Sequence, residues 1–258
     1  MKSNERRKTR GFTLVELVVV LVVLAALAGI LLPQFSGVVN RTHTATSATN
    51  LSELGKAFAL YNVKTLRGYP DKYEGLVTSS GIAPTAVATS GASTLPFDPL
   101  DTSLVTVAAP TATQVASLNR NGITSYYPMR DSIPATESAT FDAVDSTAAT
   151  TISTTTKLVF LTTTKAKACF GIDGALLGED YVCFGIGAQC TAVGTVMQEA
   201  PIHFDQTDPA ITYERFVAVY AVPNAGGTAF NARLVGFLGT ELNSLGNEIN
   251  EYYSKSSQ

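Results

Sequence analysis

From Phe12 to Leu32 every residue is apolar except Thr13, Glu16 and Gly29. A helix of these 21 residues measures roughly 31 Å, about the thickness of a hydrocarbon core. Beyond Pro33 the pattern changes. Phe35, Val38, Val39 and Thr42, then Leu51, Leu54, Phe58 and Tyr61, recur at helical spacing. Polar Asn40, Arg41, Thr44, Ser47 and Asn50 fall between them. The pattern predicts one helix from Phe12 to about Tyr61, roughly 75 Å long. Its first half is apolar all round and needs an apolar solvent. Its second half has one apolar face and needs a folded body to cover it.

The rest of the chain reads as short strands. Leu104–Ala108, Leu158–Thr162, Tyr181–Ile186, Phe216–Val222 and Arg233–Leu238 are β-branched or aromatic runs between Pro, Gly, Ser and Thr clusters. Most have no helix between them, which predicts an antiparallel sheet. Ser79–Ala92 and the Thr-rich Ser146–Thr156 read as exposed loops or edges. A last helix is expected from Glu241 to about Tyr253, with Leu242, Leu245, Ile249 and Tyr252 on one face. The fold class is therefore α+β. The divisions are a basic leader at 1–11, an apolar helix half at 12–32, an amphipathic half at 33–62 and a β-rich head with a C-terminal helix at 63–258.

Charge gives the chain a direction. Net charge is −3, and charged residues make up 15% of the chain, against about 25% in ordinary domains. This argues against a nucleic-acid binder that relies on counterion release. Yet Lys2, Arg6, Arg7, Lys8 and Arg10 crowd the first ten positions, and no positive residue follows the apolar run until Arg41. By the positive-inside rule the N-terminus stays cytoplasmic and the head is translocated. No second apolar run of this length exists. The expected topology is single-pass in the inner membrane, with an extracytoplasmic head.

Glu16 does not fit a plain anchor. A carboxylate in an apolar span costs some kcal/mol, less near an end than at the centre, and calls for a partner. Three readings compete. One is an ordinary signal peptide, with Ala26-Leu27-Ala28 as its small-residue cleavage site. Another is a plain transmembrane anchor. The third rests on Arg10-Gly11-Phe12-Thr13-Leu14-Val15-Glu16-Leu17. That sequence resembles the class III signal of type IV pilins and pseudopilins.

The resemblance implies a cut by prepilin peptidase after Gly11. It implies N-methylation of the new N-terminal Phe12, and it makes Glu16 the residue that sets register during assembly. Glu16 lies about 6 Å along the helix from the amine freed at Phe12, and a buried pair costs less than either charge alone. Pro33 matches the position where such helices kink or melt locally. Leu60-Tyr61 and Tyr69-Pro70, with Glu74-Gly75-Leu76 after them, resemble the helix end and extended segment of pseudopilins. The resemblance covers residues 8–77, under a third of the chain. It implies a pilin-like fold, identical or related subunits as filament partners, and an inner-membrane assembly machinery. The Tyr-Pro region leans toward a type II secretion pseudopilus. The length and the Thr-rich loops lean toward a type IV pilus or a specialised minor subunit.

Chemistry elsewhere is sparse. Cys169-Phe170-Gly171-Ile172 recurs as Cys183-Phe184-Gly185-Ile186 around a turn-like DGALLGED. A hairpin centred near Leu176 would set Cys169 opposite Cys183, and the spacing also permits Cys183–Cys190. An extracytoplasmic head favours disulfides, although three cysteines leave one unpaired; the alternative is three buried thiols. His43 is expected as an exposed helix residue, and His203-Phe204-Asp205 as a strand-edge polar group. No hydrolase, zinc-protease or nucleotide-binding motif occurs, so an enzyme is not expected. No cofactor is expected either. Calcium in the head has two oxygen-rich candidates, Asp173, Glu179 and Asp180 or Asp205 and Asp208, but neither set matches an EF-hand. The competing function is a secreted or membrane-anchored binding or enzymatic domain behind an ordinary signal.

Overall fold

The computed structural model describes residues 13–66, 68–81, 103–130, 144, 147–202, 215–239 and 242–255, the side chains of 30–41, 175–176, 251–252 and 255 excepted. Helix α1 (Leu14–Thr65) runs through two units, Met1–Thr42 and His43–Gln258.

In the first unit the helix is apolar on every side from Leu17 to Gly29. Its large residues from Leu14 to Leu27 are all exposed, Leu14 at 80% and Leu27 at 50%. Many are valines, which are poor helix formers in water. In an apolar medium the helix is favoured regardless, because it satisfies each backbone group internally. Among the described residues no helix is long and apolar enough to cross a membrane. The described side chains of this run stop at Gly29.

In the second unit α1 buries a stripe. Leu51, Leu54, Phe58 and Tyr61 face the core as their spacing predicts. Thr44 and Ser47, expected between the apolar positions, lie on the same stripe and are buried. The alternating steps of three and four extend the face by two turns beyond its apolar part. The helix ends at Thr65, past the expected Tyr61. Leu66 takes a left-handed φ of 52°, and Gly68 follows at 91°. A Cβ at Gly68 would sit 2.6 Å from the Asn121 carbonyl oxygen, so this turn requires glycine.

Among the described residues the head has eight strands: β1 (Tyr73–Thr78), β2 (Val105–Ala108), β3 (Ser125–Met129), β4 (Thr150–Thr151), β5 (Leu158–Leu161), β6 (Glu179–Gly185), β7 (Val217–Pro223) and β8 (Arg233–Leu238). The five sequence-predicted strands are all present. The sheet is mixed rather than antiparallel, because β1 and β3 pair in parallel. That pairing needs a crossover, and the crossover contains a helix the sequence reading missed, α2 (Ala112–Arg120). Thr111 and Gln114 form its capping box. Strand β6 is the hub. It pairs antiparallel with β5 and β7 and touches β1 at Glu74–Gly185.

Both faces of the sheet are covered. Val182, Phe184, Tyr220 and Tyr73 join the α1 stripe and Leu118 of α2 in one cluster. Tyr181, Cys183, Val217 and Val219 join Ala166, Leu238 and Leu242 in the other. Two-sided burial explains why β6 and β7 read as unbroken apolar runs.

Two further expectations need correction. Residues expected as a hairpin around Leu176 form α3 (Thr163–Phe170) and α4 (Gly174–Leu177) instead. The last helix, α5 (Leu245–Lys255), starts four residues late, after Leu242 adopts a left-handed φ of 55°. Leu242 is buried, but Leu245 and Ile249 are exposed at 37% and 41%, and Glu248 is buried at 6%. The helix therefore turns part of its apolar face outward. The side chain of Tyr252 lies outside the described residues, as do residues 82–92 of the expected Ser79–Ala92 loop.

Candidate functional site

The N-terminal turn of α1 is closed by two residues. The Thr13 amide donates to Glu16 Oε2 at 2.8 Å, and the Thr13 hydroxyl donates to the same oxygen at 2.8 Å. The Glu16 amide donates back to Thr13 Oγ1 at 3.3 Å. This is a reciprocal capping box. Thr-x-x-Glu is its sequence signature, so the pair was legible at Thr13-Leu14-Val15-Glu16 and was missed. The box gives the carboxylate two donors in an otherwise apolar segment. It also places the carboxylate at the positive end of the helix dipole. Gly11 and Phe12 lie outside the described residues. Helix α1 continues through Pro33, whose side chain is not described.

The stretch after Gly68 fastens the head. The Tyr69 amide donates to the Asn121 carbonyl at 2.9 Å, and the Tyr69 hydroxyl accepts from the Leu234 amide at 3.0 Å. Asp71 accepts from the amides of Thr124 and Ser125 at 2.8 and 2.9 Å and from their hydroxyls at 2.7 and 3.2 Å. Its own amide donates to Thr191 Oγ1 at 2.8 Å, and that oxygen lies 3.0 Å from the Tyr61 hydroxyl. The end of α1, the segment after Pro70 and the loop at Thr191 are thus tied together. Sequence reasoning did not find Asp71 or Thr191, because their partners are far away in the chain.

Residues 6–32 match the prokaryotic N-terminal methylation motif. The N-terminus is a type IV pilin-like class III signal peptide. The match includes Gly11, Phe12 and Glu16 and covers 27 of 258 residues. No curated protein and no solved structure matches the chain. The motif supports a precursor of pilin or pseudopilin type and leaves the head without a counterpart.

The head has three free cysteines among the described residues. The hairpin that would set Cys169 against Cys183 is absent. Cys183 lies instead opposite Val159 and Val219. Cys169 sits on α3 and donates to the Leu242 carbonyl at 3.4 Å. Cys190 belongs to the cluster on the opposite face of the sheet from Cys183, so the Cys183–Cys190 pairing is not made either. Burial pushes both the Cys183 and Cys190 thiols up to about 12.

The first calcium candidate set is dispersed. Asp173 meets Lys167 at 3.3 Å, Glu179 meets Arg233 at 2.6 Å, and Asp180 accepts from Gln114 at 2.9 Å. Each carboxylate has a different partner. Among the described residues no group of three or more His, Cys, Asp or Glu could hold a metal ion. His203, Phe204, Asp205 and Asp208 lie outside the described residues. His43 is a half-buried residue of α1.

Proposed function

We propose that this chain is a structural subunit of an extracytoplasmic filament, either a type IV pilus or a type II secretion pseudopilus. On this reading prepilin peptidase cuts after Gly11 and Phe12 is N-methylated. The helix then leaves the membrane to pack among identical or related subunits, driven by an inner-membrane assembly machinery. The head is displayed outside and is neither an enzyme nor the carrier of a cofactor.

One observation carries the reading. The methylation motif at residues 6–32 leads into a helix whose described apolar side chains are exposed on every side. Such a surface needs lipid or other apolar helices around it. Glu16 is held by Thr13 in the first turn, and on this reading it meets an ammonium freed at Phe12, in its own subunit or a neighbour.

N-terminal sequencing and intact mass of the mature protein test this. The expected product starts at a methylated Phe12. A product starting at Gly29 would sink the filament reading in favour of an ordinary secreted domain.

A further inference from the structure

A cleft of about 360 Å³ opens on the head beside β2, on the face that carries α2. Its size lies at the low end for small-molecule sites and suits one small ring. Phe160 and Leu161 of β5 line it together with Ala108, Ala109 and Ala225. Asp180 of β6 also lines it, and among the described residues no Lys, Arg or His does.

Asp180 is held in place by a buried neighbour. Gln114, 3% exposed, donates from Nε2 to Asp180 Oδ2 at 2.9 Å and to the Pro223 carbonyl at 3.0 Å. Its Oε1 accepts from the Thr111 amide at 2.9 Å. Every donor and acceptor bond in this set fixes the Gln114 side chain, so the carboxylate it holds is fixed too. Partial burial raises the Asp180 pKa above the ordinary carboxylate value, which the Gln114 bond opposes.

Two helices start at the cleft. Thr111 caps α2, Thr162 caps α3, and both threonines line the cavity along with Thr163. Helix N-termini carry partial positive charge. The cleft therefore sets one anionic acceptor against two weakly positive ends, hydroxyls and an apolar wall. A phosphate or carboxylate would meet Asp180 with no cation among the described lining residues to offset it. An ammonium would meet both positive ends. A neutral polyhydroxylated ring meets neither penalty. Thr162 already donates its hydroxyl to the Ser103 carbonyl at 3.0 Å, so the ring's hydroxyls can donate to the carboxylate and accept from Thr111 and Thr163, and its C–H face can lie on Phe160 and the alanines.

We propose that the cleft at Thr111, Phe160, Thr162, Thr163, Asp180 and Ala225 binds a neutral sugar residue, with Asp180 accepting from its hydroxyls. The inference rests on the head alone and does not depend on the filament reading.

Saturation-transfer NMR on the full chain, in a detergent without a sugar headgroup, tests it. The probes are glucose, galactose, mannose and N-acetylglucosamine, each beside its methyl glycoside. Equal signals from the two forms point to a glycan terminus, and signal from the reducing sugar alone points to a free monosaccharide. The expected result is transfer to at least one probe. Asp180→Asn should weaken it at least tenfold, and Ala225→Trp, which fills the cleft from an exposed rim position, should abolish it. Both variants should keep the parent circular dichroism. If Asp180→Asn misfolds, Ala225→Trp decides alone. Absence of transfer from every sugar, transfer that survives both variants, or displacement of the sugar by inorganic phosphate or lysine methyl ester would each overturn the proposal.

Discussion

Tyr73 of β1 and Tyr220 of β7 meet hydroxyl to hydroxyl at 2.5 Å with both rings fully buried. Their rings lie 5.9 Å apart, and Phe184 stacks on Tyr73 at 5.4 Å. A buried hydroxyl that loses its partner costs about 1–3 kcal/mol. Tyr220→Phe and Tyr73→Phe should each destabilise the head by that amount, and the double variant by less than the sum. Urea denaturation of the full chain in detergent measures the cycle. Strict additivity would show that the two hydroxyls are not coupled.

The same burial predicts alkaline sensitivity. Burial raises Tyr73 and Tyr220 well above 10, and it raises the Cys183 and Cys190 thiols from 9.0 to about 12. A folded pKa above the unfolded one means the unfolded chain releases its proton first. The stabilisation is complete below the unfolded pKa and is lost as pH rises toward the folded one. For the thiols the window runs from about pH 9 to 12, and for the tyrosines it opens near pH 10. Each group costs about 1.4 kcal/mol per pH unit within its window. The urea midpoint should fall steeply above pH 9, and less steeply in the double Phe variant. A flat midpoint up to pH 11 would contradict the burial of these groups.

Local signals in the sequence were easy to read, and distant ones were not. The stripe from Leu51 to Tyr61 and the five strands follow from spacing and β-branching, which act within a few residues. The parallel pairing of β1 with β3 was hidden because its partners, Tyr73 and Tyr126, are joined only through a crossover. Asp71 carries no local signal, because its partners Thr124 and Ser125 lie more than fifty positions along the chain. The apolar residues of α5 suggested a buried helix, but periodicity shows that a face exists and not which way it turns. Of the N-terminal site, Glu16 stood out as a charge in an apolar run. Thr13, its partner in the box, did not.

Gly187 is needed for a close approach rather than a special backbone angle. A Cβ there would overlap Oε1 and Cδ of Glu74. Glu74 is 2% exposed and pairs with Arg215 at 3.3 Å. Gly187→Ala should force the carboxylate off its partner, at a cost of about 3–5 kcal/mol for a broken buried pair. In a chain of this size the melting temperature should fall by roughly 10 °C. An unchanged melting curve would mean that Glu74 can swing aside at little cost.

The thiols should differ in reactivity. Cys169 is half-buried, whereas Cys183 and Cys190 are sealed in clusters on opposite faces of the sheet. Native alkylation should label Cys169 alone, and denaturation should expose the other two. Peptide mass mapping reads each site. Native labelling of Cys190 ahead of Cys169 would contradict the fold. An intact mass lower by two hydrogens would reveal a disulfide, and the sheet then restricts it to Cys169–Cys183, which share one cluster.

Thr13 should matter to assembly as much as its carboxylate partner does. Its hydroxyl is both the donor to Glu16 Oε2 and the acceptor for the Glu16 amide. Thr13→Val keeps the shape and removes both bonds. Loss of an N-cap costs about 1 kcal/mol, and Glu16 is left with one fewer donor in an apolar setting. On the proposed reading the cut falls after Gly11, upstream of the box, so processing there should persist. The loosened carboxylate should then pair poorly with an incoming amine, and sheared filament should fall several-fold relative to cell-associated subunit. Thr13→Ser, which restores the hydroxyl, should recover most of the yield, and Glu16→Ala should not. Parent-level filament from Thr13→Val would show that the box closes the helix without helping assembly.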